Sequence, residues 1–358
     1  MYNYSHGGNA AFESTREHII DLSANINPLG MPKKVRDAII SDIANCERYP
    51  DSFSRLLREK TAEFENIHPD WIFFGNGASD IIFRLPRAAK AKKIMVAAPT
   101  FSDYERSARS YGAEIIRYIL SADNGFAIDS GFIDAAREAK PDLVYICNPN
   151  NPTGKLTETG LILELLDCCR KTGAWVAIDE CFLDFTERAD THTSKIFLES
   201  HPNLVILKAF TKLFALPGIR LGYAVCANKS LIDGLYFHGA DWAISNLAQA
   251  AGIAALDGAE QFIARTAAYV SAERAAVLKE LTRLGYKIFE SSANYIFMRN
   301  IYAFDLREQL DKRGIRIRSC GNYHGLDGSY YRIAVSTREN NDKLLSAIAG
   351  IGVNFDGT

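Results

Sequence analysis

Several charged side chains lie inside a segment that is otherwise apolar. Lys208, Lys212 and Arg220 occur in the stretch LKAFTKLFALPGIRLGY, residues 207–223, among Leu, Phe, Ala and Ile residues. A buried ammonium group without a partner tends to lose its proton, and its pKa can shift by roughly 3–5 units. Each buried lysine of this segment is therefore predicted either to be paired with an acid or to serve chemistry as an amine.

Further polar residues follow apolar, strand-like runs at the points where those runs end. They are residues 75–79 (GNGAS), residues 148–154 (NPNNPTG) and residues 179–180 (DE). In open α/β sheets the ligand site lies beyond the carboxyl ends of the strands. These residues and the lysine segment are therefore predicted to meet at one edge of a sheet.

Apolar runs alternate with amphipathic helical patterns through the middle of the chain, which indicates a mainly parallel sheet covered by helices on both faces. After about residue 240 the pattern changes to two helices, followed by short strands and two more helices, which favours a separate α+β unit. The predicted strands of the first part are WIFFGN, KIMVAAP, DLVYICN, WVAIDE, NLVILKAF and RLGYAVC, and those of the second are YKIFE, NYIFMR, IRIRSC and YYRIAVS.

The predicted organisation has three parts. Residues 1–34 form an N-terminal arm that packs at the active site, residues 35–262 form a large α/β domain, and residues 263–358 form a small C-terminal α+β domain. The first 30 residues are polar and weakly periodic, which is typical of an arm that packs on another part of the protein.

The composition is that of an ordinary globular protein, and the cysteine pattern predicts a cytoplasmic location. The 358 residues are 47% hydrophobic and 23% charged, with a formal net charge of −2, which argues against a nucleic-acid or membrane surface. The seven cysteines are scattered without a Cys-x-x-Cys pair, so reduced thiols are predicted rather than disulfides or a metal site. The N-terminal sequence lacks the pattern of a signal peptide.

The order NPNNPTG, IDE, Lys212 and Arg220 resembles the aminotransferase-like, fold-type I enzymes that use pyridoxal 5′-phosphate (PLP). The resemblance implies their α/β fold, with a large domain built on a mainly parallel sheet and a smaller α+β domain. It also selects Lys212 as the lysine that bonds to the cofactor aldehyde. Lys208 does not fit, because the family pattern is Ser/Thr-Lys followed eight residues later by Arg.

The resemblance also implies which other residues bind the cofactor. Asp179 is expected to keep the pyridine nitrogen protonated, and Asn151 is expected to donate to the phenolate oxygen. A ring from Phe101 is expected to stack on the pyridine. The phosphate is expected to be bound by backbone N–H groups of a strand-to-helix turn, a hydroxyl and a guanidinium group, from Gly77, Ala78, Ser79, Thr211 and Arg220.

Tyr49, in ERYPD, matches a family tyrosine that reaches the phosphate from the other subunit, so the resemblance implies a homodimer with shared active sites. Two positions depart from the usual pattern. Ala209 stands where many relatives have a phosphate-binding serine, and Phe182 replaces the tyrosine that most transaminases of this type carry.

The ends of the chain resemble one branch of the family, the threonine-phosphate decarboxylases of the cobalamin pathway, which are close to the histidinol-phosphate aminotransferases. The motifs are HGGN (6–9), LSANINPLGMP (22–32), ERYPD (47–51) and RSCGNYHGLDGSYYRIAV (318–335), and Phe182 fits this branch. The resemblance implies a small phosphorylated amino acid as substrate. The residues expected to contact it are His6, Asn25, Asn151, Arg318 and Arg332.

Alternatives remain at this point. O-phosphoserine, one methyl group smaller, is a second candidate substrate, since one methylene discriminates by only roughly 1–3 kcal/mol. An aminotransferase acting on histidinol phosphate is a second candidate enzyme. A non-catalytic binding or regulatory protein on the same fold is a third, and a nicotinamide-binding protein is disfavoured because GNGASD lacks the dinucleotide-binding spacing.

Overall fold

The computed structural model describes residues 7–8 and 19–352. Its strands are β1 Ile20–Asp21, β2 Ile72–Gly75, β3 Lys93–Ala98, β4 Glu114–Ile119, β5 Leu143–Cys147, β6 Trp175–Asp179, β7 Leu204–Ala209, β8 Gly222–Val225, β9 Lys287–Phe289, β10 Tyr295–Arg299, β11 Ile315–Arg316, β12 Arg318–Ser319 and β13 Tyr330–Ala334.

The α-helices are α1 Lys33–Ser41, α2 Arg55–Glu65, α3 Ala78–Ala88, α4 Asp103–Tyr111, α5 Ser130–Ala139, α6 Thr159–Thr172, α7 Ala189–His192, α8 Phe210–Leu213, α9 Lys229–Phe237, α10 Asn246–Leu256, α11 Ala259–Arg283, α12 Leu306–Asp311 and α13 Arg338–Gly352. Short 3₁₀ turns lie at Ile43–Glu47, Pro69–Trp71, Leu183–Phe185 and Ser194–Phe197.

The main sheet has seven strands in the order β2-β8-β7-β6-β5-β3-β4. The strands from β7 to β4 are parallel to their neighbours, whereas β8 is antiparallel to both β7 and β2. The prediction of a mainly parallel α/β sheet is confirmed. Strand β4 was not predicted: it lies partly exposed at the sheet edge, and its charged residues Glu114 and Arg117 interrupt the apolar run.

Side chains of the central strands alternate between two cores, one on each face of the sheet. Val144 and Ile146 of β5 belong to the larger core, while Leu143, Tyr145 and Cys147 of the same strand belong to the smaller one. Each strand is apolar throughout because both of its faces are covered by helices. This confirms the interpretation of the continuous apolar runs.

Strand register brings the chemically interesting residues to the same edge of the sheet. Asp179 at the end of β6 pairs with Cys147 of β5 and with Leu207 of β7. Gly222 begins β8 at this edge, and a Cβ atom there would lie 2.5 Å from the backbone nitrogen of Ala78. A glycine at residue 222 therefore allows the N-terminus of α3 to approach the end of the sheet.

The C-terminal part contains a four-stranded antiparallel sheet in the order β12-β13-β10-β9. The predicted strand IRIRSC is divided in two at Ile317. Its first half, β11, pairs with β1 in parallel, and its second half, β12, pairs with β13. The segment around residue 20 is thereby joined to the C-terminal part of the chain.

Helix α11 extends across the boundary predicted at residue 262, and the division into three parts stays a prediction. None of the helices in the described part of the chain is long and apolar enough to cross a membrane. All seven cysteines are free thiols, and four of them, Cys147, Cys169, Cys226 and Cys320, are buried.

Candidate active site

A cavity of about 300 Å³ lies at the carboxyl edge of the main sheet, between that sheet and the C-terminal sheet. The structure brings most of the predicted site residues to its wall. They are Asn25, Ala78, Ser79, Phe101, Asn151, Asp179, Thr211, Lys212, Arg220, Arg318 and Arg332.

The other three predicted residues lie elsewhere or cannot be placed. Gly77 is the residue before α3 and has a φ of 76°, a value that favours glycine. Tyr49 is 82% exposed and packs on Trp242, with ring centroids 4.8 Å apart, away from the cavity wall. His6 lies outside the described residues.

The two lysines of the opening segment have different partners. Lys208 Nζ lies 3.2 Å from Glu65 Oε1 and 3.7 Å from Asp184 Oδ1, so its charge is neutralised. Lys212, on α8, has no acidic partner within the described residues. Burial, together with the nearby Arg332 and Arg220, lowers the pKa of Lys212 to about 8. Of the two lysines, Lys212 is therefore the one without an acidic partner in the described part of the chain and with a lowered pKa, which supports the choice that the family pattern predicts.

Asp179 lies at the end of β6 and is 5% exposed. Its Oδ2 accepts a hydrogen bond of 2.7 Å from the Tyr104 hydroxyl, and its Oδ1 accepts one of 3.0 Å from the Cys181 backbone N–H. Burial raises the pKa of Asp179, although both hydrogen bonds oppose this rise. A cationic ring nitrogen placed beside this carboxylate would be stabilised by it and would favour its ionised form.

The end of the cavity near α3 has the donors that an anion requires. The N-terminus of α3 begins here, and backbone N–H groups at a helix N-terminus favour a phosphate. Thr211 lies at the same wall. The Ser79 hydroxyl donates to Asp103 Oδ2 at 3.2 Å, so in this arrangement Ser79 offers its backbone N–H rather than its side chain.

Arg220 contributes the guanidinium group at this end of the cavity. Its side chain donates to the carbonyl oxygens of Pro217 at 3.3 Å and Asn76 at 3.5 Å, and within the described residues it forms no ion pair. Its φ of 59° is uncommon for a residue with a side chain, and such backbone strain is concentrated at functional sites. Arg220 therefore has charge available for an anionic ligand.

The opposite wall carries two arginines from neighbouring strands. Arg318 of β12 pairs directly with Arg332 of β13, and both side chains are buried, at 7% and 5% exposure. Arg332 Nη1 donates to Asn151 Oδ1 at 2.5 Å, and its Nη2 donates to the Ser23 carbonyl oxygen at 2.7 Å. The first of these bonds uses the amide oxygen of Asn151, which leaves the amide NH₂ to donate to a ligand.

Two buried polar atoms at this wall lack hydrogen-bond partners within the described residues. They are Oδ1 of Asn25, a residue only 2% exposed, and Nε of Arg332. An unpaired buried polar group costs about 1–3 kcal/mol, so its presence at a cavity indicates a polar ligand. The cationic side chains of Lys212, Arg220, Arg318 and Arg332 indicate that this ligand is anionic.

The two departures from the family pattern also lie at the cavity. Ala209 and Phe182 both line it. The Phe182 ring packs edge-on against Tyr295, with centroids 5.2 Å apart, and offers no hydroxyl group. Hydrogen bonding on that side of the cavity therefore falls to Asn151.

Several residues of the site were not predicted from the sequence, among them Tyr104, which bonds to Asp179, and Asp103 and Tyr323, which line the cavity. Tyr104 lies three residues after Phe101, one helical turn away, which is the signal that could have found it. The sequence NYHG gave no comparable signal for Tyr323, because its position depends on the pairing of β12 with β13.

The residues present fit PLP. A lysine amine, a buried carboxylate, an aromatic ring and a phosphate-type anion site all line one cavity. Lys212 would bond to the aldehyde, Asp179 would bind the pyridine nitrogen, and Asn151 would donate to the phenolate oxygen. Arg220 and the N-terminus of α3 would bind the phosphate.

Comparisons with known proteins agree with this arrangement. Residues 17–348 match the family described as aminotransferase class I and II. A threonine-phosphate decarboxylase of Salmonella typhimurium is 33% identical over 361 residues, covering 98% of this chain and 97% of that protein. A histidinol-phosphate aminotransferase of Caldanaerobacter subterraneus is 30% identical and covers 92% of both chains. The crystal structure of the histidinol-phosphate aminotransferase from Clostridium acetobutylicum superposes with a TM-score of 0.87 at 32% identity, covering 94% of this chain and 100% of that chain.

Proposed function

This chain belongs to the aminotransferase class I and II family, and within that family we propose that it is an L-threonine O-3-phosphate decarboxylase. The cofactor is PLP. The proposed products are carbon dioxide and (R)-1-amino-2-propanol O-phosphate, the linker used in cobalamin biosynthesis. The similarity to a threonine-phosphate decarboxylase over nearly the whole chain supports this proposal.

The observation that carries the proposal is the pairing of two buried arginines at one cavity. Arg318 and Arg332 are opposite each other on β12 and β13, and both line the cavity that contains Lys212. Guanidinium groups bind carboxylate and phosphate through parallel N–H donors. An amino acid that carries both a carboxylate and a phosphate matches this pair, while Arg220 serves the cofactor phosphate.

When bound, PLP supplies an electron sink for the α-carbon bond that stands perpendicular to its ring. Arg318 and Arg332 would determine which bond of the α-carbon is broken, because they would bind the anionic groups at the two ends of the substrate. With the phosphate end anchored by one arginine, the other would orient the carboxylate so that its bond to the α-carbon is the one that breaks, which releases carbon dioxide.

Lys212 moves the proton in this scheme. Its pKa is lowered to about 8, so an appreciable fraction of the amine is unprotonated near neutral pH. We propose that, after carbon dioxide has left, the protonated form of Lys212 would donate its proton to the α-carbon, and that the Lys212 amine freed in this way would assist release of the product. Asp179, fixed by Tyr104, holds the proton of the pyridine nitrogen.

We also propose a homodimer in which Tyr49 reaches the partner's cavity. Tyr49 and Phe237 are more than 80% exposed, and Trp242 is 49% exposed, which is unusual for aromatic side chains of a monomer. A second copy of this chain covering that surface accounts for their exposure. Sedimentation of the purified protein should give twice the chain mass, and a monomer would contradict this part of the proposal.

The test of the reaction is release of carbon dioxide from L-threonine O-3-phosphate and from L-serine O-phosphate, assayed side by side with PLP-loaded protein. We expect release without added 2-oxo acid, and a comparison of kcat/KM then decides which compound is preferred. Inactivity on both compounds would overturn the decarboxylase.

A histidinol-phosphate aminotransferase is the second candidate, supported by the relatives of that name at 30% and 32% identity. Its signature is consumption of histidinol phosphate that depends on 2-oxoglutarate. We expect this activity to be absent or minor, since Phe182 provides no hydroxyl to the cofactor. The non-catalytic alternative predicts colourless protein that PLP does not turn yellow.

A further inference from the structure

The guanidinium group of Arg318 is held by two residues of the loop that follows its own strand. Arg318 Nη2 donates a hydrogen bond of 2.9 Å to Asn322 Oδ1. The Tyr323 ring lies against the same group, with its centroid 5.4 Å from Arg318 Cζ. Neither Asn322 nor Tyr323 was among the residues predicted to form the site.

The loop, residues 320–329, is compact enough to act as a fixed support. A hydrogen bond of 2.8 Å from the Cys320 N–H to the Tyr330 carbonyl joins its two ends. Its two limbs lie so close that a Cβ atom on Gly321 would come within 2.9 Å of Gly328 Cα. The loop therefore has little room to change shape without breaking these contacts.

The tip of the loop contacts the other side of the active site. His324 Nε2 lies 3.5 Å from Glu105 Oε2 on α4. That carboxylate also pairs with Arg117 at 2.7 Å and Arg109 at 3.2 Å, so its position is fixed. The loop thus connects Arg318 to the helix that follows Phe101.

Tyr323 also lines the main cavity beside Arg318 and Arg332. Burial raises the pKa of the Tyr323 phenol, although both arginines lower it. The phenol stays neutral at physiological pH, so the ring supports Arg318 without repelling an anionic substrate.

We propose that Asn322 and Tyr323 are positioning residues that set the orientation of Arg318 for its substrate anion. The hydrogen bond to Asn322 fixes the rotation of the guanidinium plane, and the Tyr323 ring fixes its tilt. A guanidinium group recognises anions through a flat fork of donors, so its orientation controls affinity. This inference rests on the proposed function, because it takes Arg318 to contact the substrate.

The test measures binding of L-threonine O-3-phosphate to the PLP-loaded protein by the change in cofactor absorbance, separately from carbon dioxide release. For Asn322→Ala we expect the Kd to rise about tenfold, as for a lost hydrogen bond to a charged group, with kcat nearly unchanged. Asn124→Ala is the matched control, because Asn124 is an exposed loop residue whose amide bonds to Ala127 and Asp129.

The tyrosine is tested by two variants. Tyr323→Phe keeps the ring and loses only the hydroxyl that bonds with Arg318, so we expect a smaller rise in the Kd than for Tyr323→Leu, which loses both and should weaken binding about fivefold. Equal Kd values for the Leu variant and the unmodified protein would overturn the role of the ring.

Combination with Arg318→Lys separates positioning from a general structural role. Lysine keeps the positive charge but lacks the forked donors of the guanidinium group. In the Arg318→Lys background, Asn322→Ala should therefore cause almost no further rise in the Kd. If Asn322→Ala raises the Kd tenfold both with and without Arg318→Lys, or raises it in neither case, the proposal is overturned. Unmodified protein that binds the compound without releasing carbon dioxide would overturn the proposed reaction alone, and protein that does not bind it would overturn both.

Discussion

Lys208 and Lys212 lie four residues apart, at the end of β7 and in the helical turn that follows, and their amines have opposite environments. Burial lowers the pKa of Lys208, but Asp184 and Glu65 outweigh this effect and raise it. Burial and the neighbouring arginines Arg332 and Arg220 together lower the pKa of Lys212 to about 8. One lysine is thus held as a permanent cation, and the other is available as an amine.

The first prediction concerns the pH dependence of cofactor attachment. An amine with a pKa of about 8 is protonated and unreactive below that value and free above it. The rate at which cofactor-free protein bonds to PLP should therefore rise about tenfold between about pH 7 and pH 9, measured by absorbance. A midpoint near the ordinary lysine value would contradict this prediction.

Two variants accompany that measurement. Arg332→Gln removes a neighbouring positive charge, so the midpoint should move to higher pH. Lys212→Ala should keep the fold, by circular dichroism, and lose about 10³-fold or more of its turnover. Normal turnover of this variant would refute the assignment of Lys212.

Removal of the buried cation Lys208 should affect stability rather than chemistry. Lys208→Met removes the buried cation that Glu65 and Asp184 share and leaves Glu65 paired with Lys195 alone, which should lower the free energy of unfolding by about 3 kcal/mol. Lys229→Met is the control, because Lys229 pairs with Asp233 on an exposed helix surface and should change stability by less than about 0.5 kcal/mol. Urea unfolding of both variants measures the difference, and equal values would contradict the prediction.

The hydrogen bond from Tyr104 to Asp179 should influence the acidic side of the pH profile. The bond lowers the pKa of Asp179, so Tyr104→Phe should raise that pKa further. Since the ionised carboxylate is the active form, activity is lost as the pH falls through this pKa. The acidic limb of kcat/KM should therefore move to higher pH. Tyr118→Phe, which removes a bond to Asp129 far from the cavity, should leave the limb unmoved.

Arg220 should contribute to cofactor affinity. Arg220→Gln removes a charged donor from the predicted phosphate site, and the Kd for PLP should rise about 10–100-fold, measured by equilibrium dialysis. Arg170→Gln is the control, since Arg170 pairs with Asp167 on the surface of α6. An unchanged Kd for Arg220→Gln would show that the phosphate is bound by other groups.

Residues close together in the chain were the ones that the sequence predicted well. The pattern of Lys212 followed eight residues later by Arg220 depends on spacing within one segment. The position of Asp179 at a strand end depends on the apolar run that precedes it. The strands that flank them are buried on both faces, and burial leaves a continuous apolar pattern. Strand β4 was not predicted because its side chains are only partly covered, and Glu114 and Arg117 interrupt its apolar run.

The sequence by itself determined the central strands and their order along the chain, and through its resemblance to a known family it indicated the cofactor and favoured Lys212 over Lys208. Only the tertiary structure decided that β8 runs antiparallel, that Tyr104 reaches Asp179, and that Arg318 faces Arg332 with Tyr323 beside it. These contacts join residues that are distant in the chain or depend on strand register. A local pattern of side chains indicates whether a residue is buried, but it does not indicate which distant residue the fold places beside it.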